Sequence, residues 1–84
     1  MGEELVGTVK DYFAKIGVAG IQLSGELAAG DTIRIHGHTT DLTQQVASIQ
    51  IEKQAVPRAT AGQSIGIKVK GKVREHDRVF KVTP

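Results

Sequence analysis

Apolar and polar residues alternate along most of this chain with a period of two. The segment Thr32-Ile33-Arg34-Ile35-His36 is the cleanest case, with Ile33 and Ile35 on one side and three polar residues on the other. Successive side chains of a strand point to opposite faces, so the pattern predicts a half-buried strand. Residues 18–23 (VAGIQL) predict another, with Ala19, Ile21 and Leu23 inward. Residues 64–71 (SIGIKVKG) predict a third, with Ile65, Ile67 and Val69 inward. Leu5 to Phe13 reads as the first strand and Arg78 to Val82 as the last. No stretch carries the 3.6-residue period of an amphipathic helix.

Turn chemistry separates these runs. Gly30-Asp31 ends the stretch SGELAAGD, and Gly37 and Gly71 stand at strand exits. The run from Leu42 to Lys53 slips parity once. Leu42, Gln44 and Val46 share one side, while Ala47, Ile49 and Ile51 share the other, which predicts one long strand with a bulge or bend near Val46-Ala47. QAVPRATAG (residues 54–62) predicts a loop, because Pro57 has no N–H for a central ladder. The expected interior holds Val9, Ile21, Leu23, Ile33, Ile35, Val46, Ile49, Ile65, Ile67 and Val69. Six or seven short strands with one apolar face each would expose edges as an open sheet. The expected fold is therefore all-β, a small closed antiparallel β-barrel.

Composition narrows the function classes. The 84 residues predict a single domain, 1–84, with a thin core. There is no cysteine, so disulfides, a thiol nucleophile and cysteine-ligated metal are excluded. The start, MGEELVGTV, is acidic and lacks the apolar stretch of a signal peptide, and no apolar run is long enough to span a bilayer. A cytoplasmic protein with no membrane association is the expectation. Net charge is +2 but uneven: residues 1–52 hold three basic against seven acidic residues (−4), residues 53–84 eight against two (+6). Such asymmetry points to an anionic partner for one face, unless folding interleaves the halves.

The order VGTV, GVAGIQLSGELAAGDTIRIHG, QQVASIQIEKQAVPRATAGQSIGIKVKG, DRVFKV resembles domain II of translational GTPases such as elongation factor Tu, and stand-alone elongation-factor-like proteins. The resemblance runs from about residue 6 to 82, and a related barrel is similar to the C-terminal module of collagenase-like peptidases. It implies a translation-factor domain II-like barrel and a partner such as tRNA or ribosomal RNA. It also implies an aminoacyl-end segment at Gln50, Ile51, Glu52, Lys53 and Gln54, in which Gln50 stands where the family has an acidic residue and Lys53 where it has an arginine.

Catalytic chemistry is sparse. No G-x-x-x-x-G-K-[ST] phosphate loop occurs, so the chain alone should not bind GTP. His36, His38 and Asp41 form the one metal-like cluster, but two loop histidines and a carboxylate lack a fourth ligand, and no metal or other cofactor is expected. Ser24, Ser48 and Ser64 sit in no nucleophile motif. The expectation is a module that is not an enzyme.

The stretch IKVKGKVREHDRVFKV (67–82) carries six of the eleven basic residues. Lys68, Lys70, Lys72 and Arg74, with Arg58 and Lys53, are the candidate phosphate contacts of a basic face binding RNA backbone. The same alternation is what the wet side of a strand requires. Few aromatics are present for base stacking, since Tyr12, Phe13 and Phe80 are all there are. The second functional expectation is an adaptor that docks another protein in trans.

Overall fold

A computed structural model describes residues 2–83 as an all-β, antiparallel structure with no helix among the described residues. Ten strands follow in chain order: β1 (Gly2–Phe13), β2 (Val18–Leu23), β3 (Leu27–Ala28), β4 (Thr32–His36), β5 (Asp41–Gln45), β6 (Ile49–Ile51), β7 (Gln54–Val56), β8 (Arg58–Ala59), β9 (Ser64–Lys68) and β10 (Arg78–Thr83). Eight form one sheet in the order β5-β4-β10-β1-β2-β9-β6-β7, and β3 pairs with β8 separately.

β1 is long because it serves two neighbours. Gly2 to Thr8 pair with β10, and Gly7 to Phe13 pair with β2. Its register shifts twice, between Leu5 and Gly7 and between Val9 and Asp11. An extra residue at each shift bends the strand and strengthens its twist, which lets one strand follow a curved sheet. Gly7 sits where the bend presses on β2: a Cβ there would lie 2.8 Å from Ile21 Cγ2 and 2.9 Å from the carbonyl oxygen of Gln22. Only glycine permits that approach.

All ten expected interior residues are buried, joined by Val6, Ala19, Leu27, Ala59, Val73 and Val79 in one cluster. At 25 cal/mol per Å² of apolar area, each fully buried isoleucine or valine contributes about 1.5–3 kcal/mol, so this cluster carries the fold.

Three expectations are corrected. The run from Leu42 to Lys53 is not one bulged strand: β5 and β6 lie toward opposite ends of the sheet, and residues 46–48 between them join no ladder. Val46 is instead tethered to the Gly30-Asp31 turn, its N–H donating to the carbonyl of Asp31 and its carbonyl accepting from Gly30, each at 2.8 Å. The stretch 54–62 is not a plain loop, since it supplies β7 and β8 on either side of Pro57. The six- or seven-stranded closed barrel is the third: the ladder has two ends, at β5 and β7, rather than closing on itself. The gap beside β5 is spanned by a side chain. The amide of the buried Gln44 donates to the carbonyl of Lys68 at 2.9 Å and accepts from the N–H of Lys70 at 2.7 Å.

Candidate functional site

The outward face of β2, β9 and β6 is built on small residues. Register places Asp11, Gly20, Gly66 and Gln50 in one row across four strands. The parity that sends Ala19, Ile21, Ile65, Ile67 and Ile49 into the core sends these residues out. Two adjacent glycines leave the middle of the row as a strip without side chains, and Asp11 borders it at the β1 end, its Cβ 3.5 Å from where a Cβ of Gly20 would lie. A Cβ at Gly66 would meet Val18 Cγ1 at 3.4 Å, ordinary contact, so close packing does not demand glycine there.

Beside this strip lies a cleft of about 280 Å³ lined by Ile16, Val18, Ser48, Gln50, Gly66 and Lys68. Ile16 belongs to the β1–β2 turn, which is closed by N–H donation from Ile16 and Gly17 to the carbonyl of Phe13. That turn lifts two large apolar side chains into solvent, Ile16 at 63% exposure and Phe13 at 51%. Phe13 pairs with Val18, and Val18 with Lys68, so an apolar-to-cationic row borders the glycine strip. Among the lining residues there is no carboxylate. The polar groups they present are the Lys68 ammonium, the Gln50 amide and the Ser48 hydroxyl.

The other candidate residues lie elsewhere, all exposed. Glu52 and Lys53 form the two-residue tip of the β6–β7 hairpin, at φ of 50° and 69°. Lys70 and Lys72 follow β9 on the segment that passes Gln44 and Leu42. Arg58, on β8, shares a cleft of about 200 Å³ with Glu26, Asp31 and Lys81. Arg74 borders a cleft of about 300 Å³ near His38, Glu75 and His76. Lys68 and Gln50 are thus the pair that the structure brings to one place. Among the described residues none of these cations forms an ion pair, and no group of three or more His, Cys, Asp and Glu residues is arranged to hold a metal ion. Sequence reasoning missed Ile16, Val18 and Gly66. Their signal was the Gly20/Gly66 match, which needs the β2–β9 register to be seen.

The turn at Arg74–Asp77 is built tightly. Asp77, buried, accepts from the N–H of Arg74 at 2.8 Å through its carboxylate. His76 sits at φ 76° and donates its N–H to Val9, while Val9 donates to Asp77, each at 2.8 Å. Those bonds hold a non-glycine residue in a left-handed conformation that costs about 1–2 kcal/mol. Gly37 packs directly on the Asp77 carboxylate, leaving no room for a Cβ.

Exposed charge is organised around Arg34, which donates to Asp41 at 2.9 and 3.1 Å and to Glu3 at 3.3–3.4 Å. The hydrogen bond from Arg34 holds the Asp41 carboxyl below its ordinary value, and the reciprocal bond raises the guanidinium's.

Comparison with known proteins changes the functional expectation. No family model matches the chain. It is 46% identical over 78 residues to a protein named collagenase from Porphyromonas gingivalis, covering 90% of this chain and 22% of the relative. It is 41% identical over 76 residues to an uncharacterized protease of Methanocaldococcus jannaschii, covering 89% of this chain and 19% of the relative. The chain thus spans about a fifth of the length of these curated relatives.

Among solved structures, the C-terminal domain of a Geobacillus thermoleovorans protein described as a U32 peptidase matches with a TM-score of 0.89, at 24% identity over 95% of this chain and 93% of that one. GDP-bound aIF5B from Aeropyrum pernix matches with a TM-score of 0.65 at 12% identity, over 98% of this chain and 14% of that one. Both show the fold.

The expectations of a translation module contacting tRNA or ribosomal RNA, of a separate adaptor, and of a non-enzymatic protein are therefore overturned. The sequence relatives are named as proteases, and the translation GTPase shares shape at low identity. The physical reason is that turn glycines and strand parity encode the barrel-like sheet common to both groups, and a sheet does not specify its chemistry. No helix of the described residues is long and apolar enough to cross a membrane.

Proposed function

We propose that this chain is the β domain of a peptidase of the collagenase-like U32 kind, and that it acts with the rest of such a peptidase on polypeptide substrates. The observation that carries this is the 46% identity over 78 residues to the Porphyromonas gingivalis collagenase. The likeness to the C-terminal domain of the Geobacillus U32 peptidase supports the same reading at the level of shape. In this reading the eight-stranded sheet behaves as a barrel whose last seam is held by Gln44, and its kinship to the elongation factor Tu domain is one of architecture. The domain's part is to present a surface to substrate, supported by the exposed apolar turn at Phe13 and Ile16 beside an open cleft.

A domain exchange tests it. The corresponding stretch of the P. gingivalis collagenase is deleted, or replaced by this chain, and proteolysis is measured for both. Replacement is expected to restore activity well above that of the deletion. A folded chimaera no more active than the deletion overturns the proposal.

A further inference from the structure

Residues 74–77, Arg-Glu-His-Asp, put four polar side chains in succession on one tight turn. With Gly37 and His38 of the β4–β5 turn they line a cleft of about 300 Å³. That volume lies at the bottom of the range for small-molecule sites, so it suits a ligand of few heavy atoms.

Two opposite charges border this cleft without meeting each other. Asp77 is 5% exposed. Its Oδ2 accepts the N–H of Arg74 at 2.8 Å, whereas Oδ1 has no hydrogen-bond donor among the described residues. Gly37 is what keeps Oδ1 uncovered, since a Cβ there would collide with it. A buried carboxylate oxygen without a donor is costly, and its charge is only weakly screened. Arg74 lines the same cleft, and its guanidinium carries five N–H donors. Among the described residues it forms no ion pair, with Asp77 or with any other carboxylate.

The neighbouring charges leave that arrangement intact. Glu75 borders the cleft with its Oε1 turned toward His76 Nε2 at 3.4 Å, both side chains being exposed. Asp41 and Arg78, which flank His36 across the β4 ladders, are not among the lining residues. Among the described residues no three imidazoles and carboxylates are arranged to hold a metal ion. His76 takes φ 76°, where glycine would be free of strain, so the turn sets an imidazole on the cleft wall at a conformational cost.

A simple anion would satisfy Arg74 but face the Asp77 and Glu75 carboxylates. A simple cation would satisfy Asp77 but face Arg74. A free α-amino acid carries both charges on one carbon and can bridge two groups that share a cleft without touching. Its ammonium brings three donors, for Asp77 Oδ1 and the Glu75 carboxylate, and its carboxylate fits the planar fork of Arg74.

We infer that the cleft between the β4–β5 turn and the Arg74–Asp77 turn binds a free α-amino acid, its ammonium on Asp77 and its carboxylate on Arg74. The site shares no lining residue with the cleft beside Gly66 and does not depend on the peptidase reading.

The test titrates the 84-residue protein with L-alanine and follows amide chemical shifts, with acetate and methylamine as controls that carry one charge each. L-Alanine is expected to shift Gly37, His38, Arg74 and Asp77 saturably, and to bind about tenfold more tightly than either control. Arg74→Gln should weaken it about tenfold by removing one charge-assisted pair, and thermal melting should be unchanged because this side chain is exposed and unpaired. Asp77→Asn keeps an acceptor for the Arg74 N–H and should weaken L-alanine by a similar factor; if that variant unfolds, Arg74→Gln decides alone.

Absence of saturable shifts would overturn the site, as would indifference to Arg74→Gln or shifts confined to the Arg58 cleft. Acetate binding as tightly as L-alanine would reduce it to an anion patch, and methylamine doing so would reduce it to a cation patch. Either result also removes the inference.

Discussion

Gln44 accepts the backbone N–H of Lys70 at 2.7 Å through its side-chain oxygen, across the seam where the β5 end of the sheet meets the segment leaving β9. Its amide nitrogen completes the pair by donating to Lys68 at 2.9 Å. One side-chain amide thus does at this seam what a peptide group does elsewhere in the ladder. Substitution of Gln44 by leucine would leave Lys68 C=O and Lys70 N–H without that partner. An unsatisfied buried polar group costs about 1–3 kcal/mol. We expect Gln44→Leu to lose stability in that range in urea denaturation, with hydrogen exchange at Lys70 accelerated more than at Ile21.

Gly37 and Asp77 should be coupled. Gly37→Ala drives a methyl group into the Asp77 carboxylate, which also caps Arg74. We expect a loss of about 2–4 kcal/mol, within the range for overpacking combined with a broken buried contact. In a double-mutant cycle with Asp77→Ala, the second change should cost much less once the first is present. Strict additivity would show that the two residues act separately.

The β6–β7 hairpin turns on Glu52 and Lys53, both with positive φ, where asparagine and glycine are the favoured pair. Glu52→Asn combined with Lys53→Gly should raise stability by about 1 kcal/mol by relieving left-handed strain. Thermal melting measures this directly, and a lower melting temperature would indicate that Glu52 or Lys53 makes a compensating contact.

The Arg34–Asp41 pair sets a pH dependence. The folded-state carboxyl of Asp41 lies below its ordinary value of 3.8 because of its hydrogen bond to Arg34. Its contribution is therefore fully present above the unfolded value and is lost as pH falls through the folded one. Both groups are solvent-exposed, so the effect is small and weakens with salt. Urea midpoints of the parent and of Arg34→Gln should differ near neutral pH and converge as pH falls through the lowered folded-state value of Asp41. A gap that persists in acid would assign the Arg34 contribution to packing instead.

Much of this fold can be read from single residues, and much of the site cannot. Ile33, Ile35, Ile65 and Ile67 alternate with polar neighbours, so their burial follows from strand parity alone. Leu27-Ala28 and Arg58-Ala59 are two-residue strands, too short to show any period. The apparent long strand from Leu42 to Lys53 hid a crossing, because both halves are apolar on one side wherever their partners lie. The cleft depends on cross-strand register: Gly20 and Gly66 are 46 positions apart and become neighbours only through the β2–β9 ladder. Lys68 and Gln50 could be picked out as candidates, but their proximity to Ile16 could not.

The pairing of β1 with β10 has a mechanical consequence. Gly2 faces Thr83 at one end of that ladder and Thr8 faces Arg78 at the other, so the two ends of the described chain leave from the same edge of the same strand pair. Hydrogen bonds of an antiparallel pair lie across the strands, so tension that separates Gly2 from Thr83 acts along the bonds and loads them one after another. Such a junction peels like a zipper, where pulling along the strands would shear all the bonds together. A force applied through the two ends would therefore open the centre of the sheet first, between β1 and β10, and leave the β2–β9–β6–β7 half to yield afterwards.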